Sequence, residues 1–199
     1  MNMTDVAARG LILLGCGKMG SAMLKGWLRS GLPPKSVWVI DPHPSAWLKE
    51  QGVHIGADLP ANPAIVIIAV KPQMMKAALP DVKALGNGET LAISIAAGTP
   101  IKIFEAMLGD QTPIVRAMPN TPAAVGRGIT ALIGNANVKP EDMDLAEALL
   151  LSIGQTVRLD NEGQMDAVTA VSGSGPAYVF HLVETLAAAG EAEGLPADL

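Results

Sequence analysis

The sequence predicts an α/β chain: a mostly parallel sheet flanked by helices, followed by the start of an all-helical unit. Three observations predict it. Up to about Asp160, short β-branched runs alternate with longer helix-like stretches, the pattern of βαβ units. Several of the runs are apolar throughout rather than alternating, as strands covered on both faces must be. Beyond Asp160 the strand signals stop and the chain reads as helix.

The elements follow in order. Leu11-Ile12-Leu13-Leu14 is a buried first strand, and residues 18–30 form a helix stopped by Gly31, with Pro33-Pro34 barring its continuation. Residues 37–41 make a second strand, closed by the turn Pro42-His43-Pro44-Ser45. Ser45 caps a short helix through Glu50 that ends at Gly52. Residues 65–70 are a third strand. Pro72 opens a helix through Leu85, which Pro80 interrupts. Residues 90–95 are a strand. Thr99 as N-cap and Pro100 as first helical residue then open a helix to about Leu108. Residues 114–118 and 128–133 are strands, 140–152 a helix, and 155–159 the last strand. A long helix spans residues 174–190, with Pro176 in its first turn. One amphipathic helix cannot bury its apolar stripe alone, so residues 161–199 read as the opening of a second domain after a first at 1–160, cut short or completed by a partner chain.

Composition narrows the function. The chain has 199 residues, 49% apolar and 17% charged, which excludes a disordered chain. Its net charge of −5 argues against a nucleic-acid partner. The longest apolar stretch, residues 64–70, is far below a membrane span, and the first residues lack the features of a signal peptide. A single cysteine, Cys16, forms no internal disulfide and fits the reducing cytoplasm. His43, His54 and His181 have no metal-ligand spacing, so no metal is expected.

Gly15-Cys16-Gly17-Lys18-Met19-Gly20 has the spacing G-x-G-x-x-G between a strand and a helix. In that context Gly15 permits the tight turn, Gly17 lets a pyrophosphate approach the backbone, and Gly20 lets the helix pack on the sheet. The alternative is a glycine-rich turn without ligand. Asp41 lies 21 residues beyond Gly20, where an acidic residue accepts bonds from an adenosine ribose and favours NAD over NADP; otherwise it is a turn residue before Pro42. Lys71 sits at a strand's carboxyl edge, either facing a ligand or solvated. Arg116, inside a strand, either pairs with a buried carboxylate or binds substrate. Ser94-Ile95-Ala96-Ala97-Gly98 ends a strand in small residues that let a flat ring lie on backbone. Ser172-Gly173-Ser174-Gly175-Pro176-Ala177-Tyr178 opens the long helix, either as an anion site of free N–H groups or as an ordinary cap.

Together with Ala69-Val70-Lys71-Pro72 and Arg116-Ala117-Met118-Pro119-Asn120-Thr121-Pro122, these segments resemble the pyrroline-5-carboxylate reductases in order and spacing over essentially the whole chain. The resemblance implies a Rossmann-type first domain, a helical dimerisation domain, a homodimer or higher homo-oligomer, and NADPH- or NADH-dependent reduction of 1-pyrroline-5-carboxylate to L-proline, the last step of proline biosynthesis. It places residues 16–20 on the pyrophosphate, and Ala69 to Pro72 and Ala96 to Gly98 around the nicotinamide, with Met118, Asn120 and Thr121 beside it. Ser172, Gly173, Ser174 and Gly175 border the substrate, and Glu162, Ser174 or Thr121 bonds the imine nitrogen. The family continues into a Ser-Pro-Gly-Gly-Thr-Thr loop for the substrate carboxylate, beyond the last residue here. From Asp160 to Leu199 there are seven acidic residues and no Lys or Arg. The chain is therefore expected to be either a fragment or a shortened version of such a reductase. The alternatives are a cofactor-binding but catalytically incomplete fragment, a chain that serves only as a dimerisation partner, and a related imine reductase or β-hydroxyacid dehydrogenase. The absence of Lys from residues 174–190 counts against the dehydrogenase.

Overall fold

The computed structural model describes residues 3–56 and 58–199. Among them eight strands form one sheet: β1 (Leu11–Leu14), β2 (Val37–Ile40), β3 (His54–Ile55), β4 (Ile65–Ile68), β5 (Leu91–Ser94), β6 (Ile114–Met118), β7 (Gly128–Gly134) and β8 (Gly154–Arg158). Their order is β3-β2-β1-β4-β5-β6-β7-β8. Every neighbouring pair is parallel except β6 and β7. The expected mostly parallel, Rossmann-type sheet is thus present. Chain order reverses at β1, which pairs with β2 on one side and β4 on the other. That switch point opens a crevice at the carboxyl ends of the strands, where ligands enter such sheets.

The helices are α1 (Met3–Arg9), α2 (Lys18–Arg29), α3 (Ala46–Lys49), α4 (Met75–Ala78), α5 (Ile101–Leu108), α6 (Pro140–Leu150), α7 (Gln164–Val168) and α8 (Gly175–Ala192). The central strands are buried along their whole length, so alternate residues feed two cores. Leu11 and Leu13 join Met23, Leu24 and Trp27 of α2 on one face. Ile12 and Leu14 join Val82 and Phe104 on the other. Gly26 lets α2 lie against the turn after α6, because a Cβ there would stand 2.8 Å from the Ser152 carbonyl oxygen.

Several elements differ from expectation. α1 and β3 were not anticipated. β3 is only two residues long, and its His54 ring stacks on Trp38 with centroids 4.4 Å apart. α1 is held at its end by Arg9, whose guanidinium donates to the carbonyls of Asn62 and Pro63. The helix expected from Pro72 to Leu85 is α4 between two 3₁₀ turns, because Pro80 has no N–H to continue it. The helix expected to reach Ser152 gives way to a 3₁₀ turn after Leu150.

The long helix does not begin at Ser174. It begins at Gln164 and runs through α7, a π turn at Thr169–Gly173 and α8 with no break in helical backbone angles at Val168, Thr169 or Ser174. The Ser174 N–H reaches back five residues to the Thr169 carbonyl at 2.9 Å. The Gly173-Ser174-Gly175 signal marks this π turn, where a helix start was expected.

Candidate active site

The glycine segment joins β1 to α2. Gly15 has φ +90°, and a Cβ on it would stand 2.9 Å from Val70 Cγ1 and 3.0 Å from the Ala69 carbonyl oxygen. A Cβ on Gly20 would stand 2.5 Å from the Gly15 carbonyl oxygen. These two glycines therefore draw the loop against the end of β4. Gly17 differs: a Cβ there would meet nothing within 4 Å. It is also the N-cap of α2 and offers no side chain to the first-turn N–H groups. Open space above uncapped N–H groups is what a pyrophosphate requires, and the residues present fit a dinucleotide.

Asp41 follows β2 and stands beside that loop. Its Oδ2 accepts from the Cys16 N–H at 2.7 Å and its Oδ1 from the His43 N–H at 2.8 Å. The carboxylate is fixed in orientation, with lone pairs left to accept from a hydroxyl. The Cys16 side chain turns inward and is 7% exposed. Burial pushes its thiol up from the ordinary cysteine value, against a lowering hydrogen bond from Ser21. That makes it a poor nucleophile and a compact packing residue. Lys71 and Pro72, after β4, are exposed.

Beyond β5, Ala96 is buried and Ala97 and Gly98 are exposed. Gly98 has φ +68°, and a Cβ there would meet nothing within 4 Å. The helix that follows is capped in an unexpected way. Thr99 does not cap it; Pro100 holds the N-cap position without a side-chain bond, and Ile101 is the first helical residue. The Ile101 N–H donates instead to Glu162 Oε1 at 2.8 Å.

The same oxygen receives Arg116 Nη1 at 2.8 Å. Arg116 lies on β6 with its side chain 5% exposed, and Asp166 of α7 stands 3.8 Å from its other nitrogen. Of the two readings of Arg116, pairing with a carboxylate is the one the geometry realises. Its partner's identity was not legible: 46 residues separate them, and the only signal was a cation within an apolar strand.

At the end of β6, Met118 and Asn120 meet the π turn. A Cβ on Gly173 would stand 2.6 Å from the Met118 ε-carbon. The Asn120 amide nitrogen reaches the Ser172 carbonyl and hydroxyl, each at 3.4 Å, while its oxygen accepts from the Ile129 N–H at 2.9 Å. Asn120 is thereby occupied in tying β7 to the π turn. The Ser174 hydroxyl donates to the Thr169 carbonyl at 3.0 Å, and Thr121 is exposed. Among the described residues no hydrogen bond joins Glu162, Ser174 and Thr121 to one another, and no cluster of three His, Cys, Asp or Glu could hold a metal.

The expected sites thus gather in two groups on one edge of the sheet. Residues 15–20, Asp41 and Ala69-Val70 form one; Met118, Asn120 and Ser172-Gly173 form the other. The turn at Ala96 to Gly98 leads, through α5, to Glu162.

Two family models match: one described as NADP oxidoreductase, coenzyme F420-dependent, over residues 10–98, and one described as pyrroline-5-carboxylate reductase dimerisation over residues 162–199. The pyrroline-5-carboxylate reductase of Pseudomonas aeruginosa is 39% identical over 191 residues, spanning 93% of this chain and 70% of that protein. A solved pyrroline-5-carboxylate reductase from Coxiella burnetii superposes with a TM-score of 0.86 at 34% identity, covering 96% of this chain and 73% of that one. The Plasmodium falciparum pyrroline carboxylate reductase, solved with NADP bound, gives a TM-score of 0.83 at 31% identity, with 95% of this chain and 71% of that one covered. Identity of this order over nearly the whole chain, on the same fold, leaves one conclusion: the chain belongs to the pyrroline-5-carboxylate reductase family.

Proposed function

We propose that this chain reduces 1-pyrroline-5-carboxylate to L-proline, as an oxidoreductase of the cytoplasm acting in proline biosynthesis. The observation that carries the reading is the pairing of an open, uncapped glycine loop at the β1 switch point with a second small-residue surface, Gly173 against Met118, on the same edge. In this division residues 1–160 hold the cofactor and residues 161–199 supply the substrate wall and the pairing surface.

When bound, NADPH or NADH supplies the hydride. The protein's part is orientation and exclusion of water. Gly17 to Gly20 would hold the pyrophosphate through backbone N–H groups, with the Lys18 cation beside it, while the Cys16 N–H, already given to Asp41, orders the loop. Asp41 accepts from the ribose. Ala69 to Pro72 and Ala96 to Gly98 shape the floor for a flat ring. Met118 and the π turn face the substrate from the other side, where Ser172, Gly173, Ser174 and Gly175 line its pocket.

The cyclic imine takes a hydride at carbon and carries a proton at nitrogen, becoming the secondary amine of proline. Its protonated nitrogen is a donor and needs an acceptor. Ser174 suits this, because its own hydroxyl hydrogen is committed to the Thr169 carbonyl and its lone pairs remain. Thr121, exposed on the same edge, is the other hydroxyl for that nitrogen. Glu162 stands one step away, held by Arg116 and Ile101.

α8 has no buried residue, and its Tyr178, Val179, Phe180, Leu182, Val183 and Leu186 are all exposed. A helix this apolar is stable in water only when covered. The match of residues 162–199 to a dimerisation model supports a second copy of the chain as the cover, in a homodimer or larger homo-oligomer.

The test is nicotinamide absorbance on mixing the protein with 1-pyrroline-5-carboxylate and NADPH, then NADH. Substrate-dependent loss of absorbance is expected. Loss with neither cofactor, while both bind, would replace this reading with a cofactor-binding chain that does not turn over.

A further inference from the structure

We propose that Glu162 is a positioning residue for hydride transfer, acting through Ile101 and Arg116 rather than on the substrate. The proposal rests on the reductase reading above and concerns how its two surfaces are held at a fixed separation.

Glu162 Oε1 takes two donors at once, the Ile101 N–H and Arg116 Nη1, both at 2.8 Å. Each donor belongs to a different side of the site. Ile101 is the first residue of α5, three residues after the turn at Ala96 to Gly98. As a first-turn N–H it has no acceptor within its own helix, and no neighbouring side chain caps it. Glu162 therefore anchors the chain three residues downstream of that turn, which is itself closed by the Thr99 N–H donating to the Ala96 carbonyl. Arg116 sits in the middle of β6, two residues before Met118, which packs on the π turn at Gly173. Glu162 itself lies two residues before α7, in the chain that leads to that π turn.

One carboxylate oxygen therefore ties together the turn under the nicotinamide, the strand that ends at the substrate, and the helix that forms the substrate wall. Arg116 is suited to its part because its side chain is 5% exposed and the strand holds it rigidly. Both bonds to Glu162 need only an acceptor, so a neutral amide oxygen can make them. A proton-donating role would not survive that exchange. This difference separates positioning from acid catalysis.

Three proteins decide it: wild type, Glu162→Ala and Glu162→Gln. Cofactor affinity is read by nicotinamide fluorescence, turnover by absorbance across pH, and the tether by hydrogen exchange of the Ile101 amide in the cofactor-free protein. In Glu162→Ala, kcat is expected to fall by up to about 100-fold, the scale of a 1 Å misplacement, with cofactor Kd changed by less than about threefold. Its Ile101 amide should exchange faster. Glu162→Gln should recover most of the turnover, slow the exchange again and keep the wild-type pH profile.

Glu162→Gln as slow as Glu162→Ala, with the pH dependence of kcat altered, would make Glu162 a proton carrier and end the proposal. Unchanged turnover in Glu162→Ala would end it too. Parallel collapse of affinity and turnover in both variants would reduce the contact to scaffolding. Each of these is read against an active wild type and leaves the reductase reading standing. A wild type inert toward 1-pyrroline-5-carboxylate would remove that reading, and the role of Glu162 with it.

Discussion

Asp41 meets the glycine loop through one carboxylate oxygen and its own turn through the other. Two backbone donors hold it, so it cannot swing aside to admit a second anion. A ribose hydroxyl can donate to it, whereas a 2′-phosphate would face a fixed like charge. NADH is therefore expected to bind about tenfold more tightly than NADPH, the worth of one charge-assisted hydrogen bond. Asp41→Ser should narrow the ratio mainly by tightening NADPH, and equal affinities in the wild type would refute the reading. At this scale the sequence was legible wherever a residue acts through its own backbone. The glycine spacing announced the loop and Asp41 its place after β2. Long-range partners were not legible. Nothing local to Glu162 says that it caps α5, and nothing local to Asn120 says that its amide is tied to Ile129 and Ser172.

Elements formed where apolar runs and breakers agreed. β1, β4, β5 and β6 fall where their apolar runs lie, and Ser45 caps α3 as its position suggests, accepting from the Leu48 N–H at 3.2 Å. β3 was silent because two residues carry no periodicity, and α1 because its end is held by the contacts of Arg9 rather than by pattern. The edge strand β8 is fastened to α6 by charge. Arg158 on β8 donates to Asp144 and Glu147 of α6, each at 2.6 Å. The Arg158 hydrogen bond, followed by one from Thr156, holds the Glu147 carboxyl below its ordinary value. A lowered carboxyl contributes stability above its unfolded value and loses it as pH falls through the folded one. Because the pair is largely exposed, Arg158→Met should cost only about 0.5–1 kcal/mol at neutral pH. That difference should shrink in acid, as pH falls below the ordinary carboxyl value and through the lowered one of Glu147. Urea unfolding of both proteins at neutral and acid pH checks it, and a pH-independent difference would show that Arg158 acts by packing instead.

For the whole molecule, the mostly parallel sheet and the change from sheet to helix beyond Asp160 are readable from the alternation of periods and the glycine motif, whereas the reversal of chain order at β1 is not. The helical part is less so. An apolar helix in sequence looks the same whether its partner is its own sheet or another chain, and only the exposure of α8 along its whole length distinguishes them. Leu182→Glu with Leu186→Glu should therefore yield smaller particles in sedimentation while cofactor affinity stays at the wild-type value, since both residues lie on α8 and the cofactor loop is formed by β1, β2 and β4. Wild-type sedimentation of that double variant would place the pairing surface elsewhere.

The π turn at Thr169–Gly173 gears the exposed face of α8 to the sheet. It inserts one residue into a helix that advances by about 100° per residue. Upstream of it, the helix is set in phase by the buried Met165. Downstream, every side chain of α8 points where that extra step sends it. The turn thus works as an angular offset between two halves of one rod. Removing a single residue there would leave each half intact yet turn the pairing face by about a quarter of a revolution relative to the cofactor unit.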